Sequence, residues 1–180
     1  MKVIATDIPD VHIIEPAVFE DERGFLFESY NAREFARAGI SRNFVQDNHS
    51  RSAQGVLRGL HYQIEQPQGK LVRVVVGEIL DVAVDCRRSS ATFGRYIATE
   101  LSAGNRRILW VPEGFAHGFL VLSAYAEVCY KTTDFWAAQH ERCIAWNDPD
   151  LAIPWPLDGT PILSAKDEAG APFRRAEVFP

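Results

Sequence analysis

The chain has 180 residues and a mass of 20.2 kDa, with 47% apolar and 24% charged side chains. That length predicts a single domain, residues 1–180, burying about 70% of the unfolded chain's surface in one core, and that composition excludes disordered, collagen-like and coiled-coil chains. The net charge of -5, from 19 basic and 24 acidic residues, excludes a general nucleic-acid binder, which needs a basic surplus to displace phosphate counterions.

In chain order the dominant signal is a succession of short β-type runs separated by turn clusters. The runs cover Val11 to Phe19, Phe25 to Tyr30, Gly55 to Ile64, Lys70 to Val76, Glu78 to Asp85, Arg95 to Leu101, Arg106 to Val111, Phe115 to Leu122 and Glu127 to Thr133. Between them lie Asp21 to Gly24, Ser102 to Asn105 and Pro112 to Gly114, rich in residues that favour turns. This pattern predicts an all-β sandwich or barrel. One short helix interrupts it: Asn31 can cap, Glu34 falls three residues later, Phe35 follows and Gly39 supplies a left-handed stop. After Asp148, Pro149, Pro154, Pro156 and Pro161 disfavour regular sheet and predict an irregular segment that wraps the body.

Three cysteines, Cys86, Cys129 and Cys143, are an odd number with no CxxC pair, and read as buried reduced thiols. No stretch approaches the ~18 apolar residues of a membrane span, and Met1 to Pro9 carries no apolar run. A cytoplasmic, reducing location is expected.

The densest polar cluster is Phe44 to Ser52, followed closely by Arg58-Gly59-Leu60-His61-Tyr62-Gln63. Alternation along a strand places Leu57, Gly59, His61 and Gln63 on one face and Val56, Arg58, Leu60 and Tyr62 on the other. Either Gly59 marks a bulge or Arg58 and His61 serve different walls. A second focus, Pro112-Glu113-Gly114-Phe115-Ala116-His117, fits the P-x-G-x-x-H half of a cupin metal signature, but His61-Tyr62-Gln63 lacks the second histidine and the following acid. Too few ligand-type residues remain for a catalytic metal, which normally takes three, so the site is read as metal-free. A third focus is Glu127 to Thr133: alternation groups Tyr130 with inward-facing Ala126 and Val128 and turns Glu127, Lys131 and Thr133 outward. Tyr130 is then a structural phenol or, facing a polar cavity, a general acid.

Asp21-Glu22-Arg23-Gly24-Phe25, Phe44 to Ser50, Arg58 to Gln63, Lys70 to Val74, Asp81 to Asp85, Pro112 to Phe119 and Trp146-Asn147-Asp148-Pro149 together closely resemble the dTDP-4-dehydrorhamnose 3,5-epimerase family, from about Asp7 to Asp167. The resemblance implies a cupin jelly roll acting as a homodimer on a dTDP-4-keto-6-deoxyhexose, without metal, nicotinamide or any other cofactor, and without nucleic-acid or membrane partners. Carried over by position, it implies His61 as general base, Asp167 as its paired carboxylate, Tyr130 as general acid and Lys70 as the cation beside the 4-keto oxygen. It further implies that Arg23, Glu28, Gln46, Asn48, Arg58, His117, Glu141 and Lys166 line the nucleotide-sugar site. Trp136 stands where the family commonly stacks a tyrosine or phenylalanine on thymine and keeps a large aromatic face.

Elementary chemistry fits these roles. Abstracting a proton α to a ketone near neutral pH suits an imidazole, with its ordinary pKa of about 6.5. Asp167 is expected to set its tautomer and raise its basicity. The enolate needs positive charge at its oxygen, which Lys70 supplies. Inversion needs a second proton carrier on the opposite face, for which Tyr130 is the candidate. Arg23, Arg58 and Lys166 would offset the diphosphate's roughly two negative charges. The expected reaction turns dTDP-4-dehydro-6-deoxy-D-glucose into dTDP-4-dehydro-L-rhamnose. A C3-only or C5-only epimerase is the alternative within the class; a metal-dependent cupin and a non-catalytic nucleotide-sugar binder are the alternatives outside it.

Overall fold

The computed structural model describes residues 1–180. In chain order it contains β1 (Lys2–Ala5), β2 (His12–Glu15), β3 (Val18–Asp21), β4 (Gly24–Phe27), α1 (Ala32–Arg37), β5 (Gln46–Ala53), β6 (Leu57–Gln63) and β7 (Lys70–Val76). There follow β8 (Glu78–Asp85), β9 (Tyr96–Ser102), β10 (Ile108–Val111), β11 (Phe115–Val121), β12 (Tyr125–Thr132), β13 (Glu141–Cys143) and α2 (Ala165–Glu168). A six-stranded sheet runs β1-β2-β10-β7-β12-β5, a five-stranded sheet runs β13-β6-β11-β8-β9, and β3-β4 is a separate hairpin. Strand neighbours pair antiparallel in both sheets and the hairpin.

Alternation decides how these sheets pack. Val72 and Val74 of β7, Leu109 and Val111 of β10 and Val128 of β12 point inward to meet Ile79 and Ala83 of β8, Leu101 of β9 and Phe115 and Phe119 of β11 in the central core. The result is the all-β cupin jelly roll expected. The opposite faces are not left bare. Ile14, Leu71, Ile108 and Trp110 bury against Phe35 and Ile40 around α1. Leu60, Tyr62, Val82 and Val84 are covered by Leu151, Ile153 and Ala176, with Phe173 and Phe179 packed alongside. The proline-rich tail therefore wraps the body, as expected, and seals the outer face of the five-stranded sheet.

Local signals hold at α1. Asn31 Oδ1 accepts the N–H groups of Arg33 at 3.2 Å and Glu34 at 3.4 Å. At the far end Gly39, with φ of 84°, donates to Ala36 O at 3.0 Å while Ile40 donates to Phe35 O at 2.9 Å, the paired bonds of a left-handed helix stop. Glu34 does not close a capping box; its carboxylate pairs with Arg37 at 2.6 Å.

Several boundaries differ from expectation. Pro16 divides the Val11 to Phe19 run into β2 and β3, because its ring cannot donate to a ladder. The strands β1, β5 and β13 and the helix α2 fall outside the expected runs. Strand β5 is the informative case: its residues alternate between half-buried and exposed up to buried Ser52, with polar side chains on both faces, so it carries no apolar period. Only Cys86 of the three free thiols is fully buried; Cys129 and Cys143 are half-buried. No helix is long and apolar enough to cross a membrane.

Candidate active site

A cleft of about 370 Å³ opens between the two sheets. Gln46, Asn48 and Ser50 of β5, Lys70 of β7 and Tyr130 of β12 form the wall from the six-stranded sheet. Arg58 and His61 of β6 and His117 and Phe119 of β11 form the facing wall, and Gln68, Trp136, Glu141 and Lys166 complete the rim.

Simple alternation would set Arg58 and His61 on opposite faces. In the pairing of β6 with β11, His61 stands opposite His117 but Arg58 stands opposite Phe119, so β6 carries one extra residue between them. Gly59 makes this bulge possible: its φ is 130°, and a Cβ there would lie 2.5 Å from Gly118 Cα and 2.9 Å from His117 O. The bulge, not separate walls, brings the guanidinium and the imidazole into one cleft.

His61 is tied to Asp167 of α2 by a 2.6 Å hydrogen bond between Nε2 and Oδ1. Asp167 also accepts the Gly59 N–H at 3.1 Å on Oδ1 and the Ser164 hydroxyl at 2.6 Å on Oδ2. Ser164 and Asp167 form the capping box of α2, which fixes the carboxylate at the start of the short helix. Burial works to raise the Asp167 carboxyl, but donation from His61, Ser164 and Gly59 outweighs it and holds the group well below the usual carboxylate range. An ionised Asp167 accepts a hydrogen bond from the Nε2–H of His61, which leaves Nδ1 as the basic nitrogen. Asp167 works to raise the basicity of His61, as expected, but the net shift of the imidazole is downward. Burial lowers the imidazole from 6.5 and Lys166 and Lys70 add to that; the Asp167 hydrogen bond opposes them and does not win.

Lys70 is buried on the six-stranded wall, with Nζ donating to the His61 carbonyl at 3.3 Å. Burial lowers the ammonium to about 8, against the opposing pull of Glu141 and Asp81. Burial likewise raises the Tyr130 phenol, with Arg58 opposing. Arg58 donates to Ser52 Oγ at 3.0 Å, Lys166 pairs with Glu141 at 2.8 Å, and Gln46 Oε1 accepts the Trp136 N–H at 3.1 Å. Tyr130 points into the cleft as its alternation with Ala126 and Val128 requires, while on the other face Lys131 pairs with Asp47 and Glu127 with His49.

His117 belongs to a second histidine–carboxylate pair: its Nε2 meets Asp81 Oδ1 at 2.7 Å, with Asp81 fully buried. His117 and Asp81 have no third ligand-type side chain close enough to share a metal ion with them, so the cupin-type histidine has no ligand set here.

A protein-family model described as dTDP-4-dehydrorhamnose 3,5-epimerase matches residues 5–175. The chain belongs to this family. It is 63% identical to the dTDP-4-dehydrorhamnose 3,5-epimerase of Pseudomonas aeruginosa over all of both chains. With the corresponding epimerase of Shigella flexneri the identity is 58%, over 99% of each. Among solved structures, the dTDP-6-deoxy-D-glucose-3,5-epimerase of Legionella pneumophila, in complex with dTDP-4-keto-L-rhamnose, superposes with a TM-score of 0.96 at 50% identity, covering 98% of this chain and 94% of that one.

The present epimerase is thus an isomerase, and its cleft holds ten of the thirteen expected site residues, with Asp167 directly behind His61. The two exceptions are Arg23 and Glu28. Arg23 projects from the β3-β4 hairpin and pairs with Asp21, and Glu28 accepts from Asn31 at 3.1 Å, both away from the cleft. Residues that sequence reasoning passed over are Ser50, Gln68 and Phe119 in the lining, and Asp81 and Ser164 behind it. Ser50 and Asp81 lay inside motifs already singled out, and Ser164-x-x-Asp167 was legible as a capping box with Asp in the acidic place.

Proposed function

We propose that this epimerase converts dTDP-4-dehydro-6-deoxy-D-glucose into dTDP-4-dehydro-L-rhamnose by inverting C3 and C5, using His61 as base and Tyr130 as acid. The observation that carries this reading is their placement: His61 stands on the five-stranded wall and Tyr130 on the six-stranded wall of one cleft. A sugar ring lying between the sheets meets a proton acceptor on one face and a proton donor on the other. Nδ1 of His61 takes the proton α to the 4-keto group, and the electron pair moves into an enolate. The buried Lys70 ammonium neutralises the enolate oxygen, and the Tyr130 hydroxyl returns a proton to the opposite side of the same carbon. Inversion follows because the two proton transfers occur on opposite faces. Before the cycle repeats at the second carbon, protonated His61 gives its proton to water in the open cleft and the tyrosinate takes one back; no electron leaves the substrate.

Arg58 and Lys166 line the cleft as cations for the diphosphate, and Trp136, exposed at its rim, offers an aromatic face for the thymine. Arg23 and Glu28 fit the substrate-binding role only if they are delivered by a second copy. The β3-β4 hairpin suits such exchange, since Phe19, Phe25 and Leu26 are 68%, 57% and 72% exposed on a two-stranded ribbon that pairs with neither sheet. We therefore read the working enzyme as a homodimer, each chain acting as one unit in the cytoplasm, where its three free thiols stay reduced.

Incubation with dTDP-4-dehydro-6-deoxy-D-glucose in deuterium oxide tests the chemistry. Deuterium at both C3 and C5 is expected. Label at one carbon alone identifies a monoepimerase, and absence of label at both refutes the proposal.

A further inference from the structure

We propose that His61, Cys143 and Asp167 form an inhibitory site for a thiophilic divalent cation such as zinc or cadmium, which switches the enzyme off by capturing its base. The catalytic reading gives Cys143 no role, yet β13 pairs with β6 so that Cys143 stands directly opposite His61. One ligand atom from each of Cys143, His61 and Asp167 lies within 4.8 Å of the other two. Imidazole, thiolate and carboxylate are a complete three-ligand set for a borderline-soft ion, with water as the fourth ligand. Hard cations such as magnesium have little use for it.

Cys143 is the least engaged of the three ligands. The Cys143 thiol has one weak acceptor, the Ile144 carbonyl at 3.6 Å. Asp167 is already ionised; Ser164 holds Oδ2, while Oδ1 accepts from Gly59 on one lone pair and can offer the other, now turned to His61, to a metal. In a tetrahedral zinc site N and O ligands lie about 3.3 Å apart, so the 2.6 Å His61–Asp167 contact has to open slightly and the sulfur to close in. The cation takes the place of the proton that these two residues share. Entry is through the cleft, into which His61 opens.

The consequence for activity rests on the reading of His61 as base. A neutral imidazole with metal on Nε2 carries its single proton on Nδ1, the nitrogen that must accept the substrate's proton. Binding displaces the Nε2 proton to Nδ1 and releases the thiol proton to water. Nothing is oxidised or reduced.

Cadmium chloride added to the chelator-treated full chain tests the site directly. The expected result is an ultraviolet cadmium-thiolate charge-transfer band that saturates at one ion per chain, with substrate deuterium exchange falling in parallel and returning on addition of EDTA. In Cys143→Ser the metal-free exchange rate should be unchanged, the band absent and the inhibitory concentration of cadmium or zinc raised about 10- to 100-fold. Cys129→Ser, altering a thiol on the outer side of β12, should behave as the unaltered chain. A missing band in the unaltered chain, a band that survives in Cys143→Ser, or equal metal sensitivity of the two chains overturns the proposal. Absent exchange in the metal-free chain would instead defeat the catalytic reading, and the cadmium band would still decide the site.

Discussion

In its proposed role as base, His61 works over a pH range that its environment sets. Burial lowers the imidazole from 6.5 despite the Asp167 hydrogen bond, so the neutral, active form persists below the pH at which an exposed histidine would protonate. The acid limb of kcat/KM is accordingly expected below pH 6.5. Lys70, brought down to about 8 by burial, works in the opposite sense. In its proposed role it would stabilise the enolate only while protonated, so activity should fall as pH rises through about 8, and a pH profile measured from 4 to 10 checks both limbs. Lys70→Ala should cost about 3 to 4 kcal/mol of transition-state stabilisation, some 10²- to 10³-fold in kcat, and abolish the alkaline limb. His61→Asn should suppress exchange at both carbons by at least about 10²-fold, as removal of a general base does. Tyr130→Phe should still exchange protons through His61 while product formation stops. Equal loss of exchange and inversion in Tyr130→Phe would remove the tyrosine from its assigned role.

At the scale of elements, the bulge in β6 is what makes the site. Without the extra residue at Gly59, strand alternation would turn either Arg58 or His61 out of the cleft. Gly59→Ala meets two obstacles together, a left-handed φ of 130° and a Cβ 2.5 Å from the Gly118 backbone. A cost of about 3 kcal/mol or more is expected, lowering the melting temperature by about 10 °C and kcat with it. Gly104→Ala is the matching control, because its Cβ meets nothing nearer than Ser102 Oγ at 3.7 Å and should leave both quantities in place. The bulge was written in the sequence as one of two alternatives, since glycine in an otherwise regular strand signals either a bulge or a close approach. Here it is both. The strand β5 was not legible for a different reason. Its cleft face carries Gln46, Asn48 and Ser50, and its outer face carries Asp47, His49 and Arg51, so neither face shows the apolar alternation by which strands are read. The helix α2, with four residues, is too short for any period, and only its capping box marks it.

For the whole molecule the open question of assembly has a direct experiment. If Arg23 serves the cleft of the other subunit, a chain carrying Arg23→Ala and a chain carrying His61→Ala are each impaired, but a mixed dimer keeps one cleft with both residues intact. Unfolding and refolding an equimolar mixture should therefore restore exchange to about a quarter of the unaltered level, the fraction of intact clefts after random pairing. No recovery in a mixture shown to contain mixed dimers would place Arg23 outside the shared site. The average composition and acidic charge of the chain are compatible with such an enzyme, because a proton shuttle needs only a rigid scaffold and a few polar side chains. Sequence by itself determined the all-β class, the capped helix α1 and the wrapping tail, and singled out the histidine, lysine and tyrosine of the proposed chemistry, because periodicity, capping and motif order are local properties of the chain. Only the tertiary structure decided which of those residues share a cleft. Asp167 reaches His61 across 106 positions of sequence, His61 and Tyr130 face one another from different sheets, and Arg23 and Glu28 point elsewhere. These are relations between distant segments, set by the way two twisted sheets and an irregular tail pack, and no local pattern encodes them.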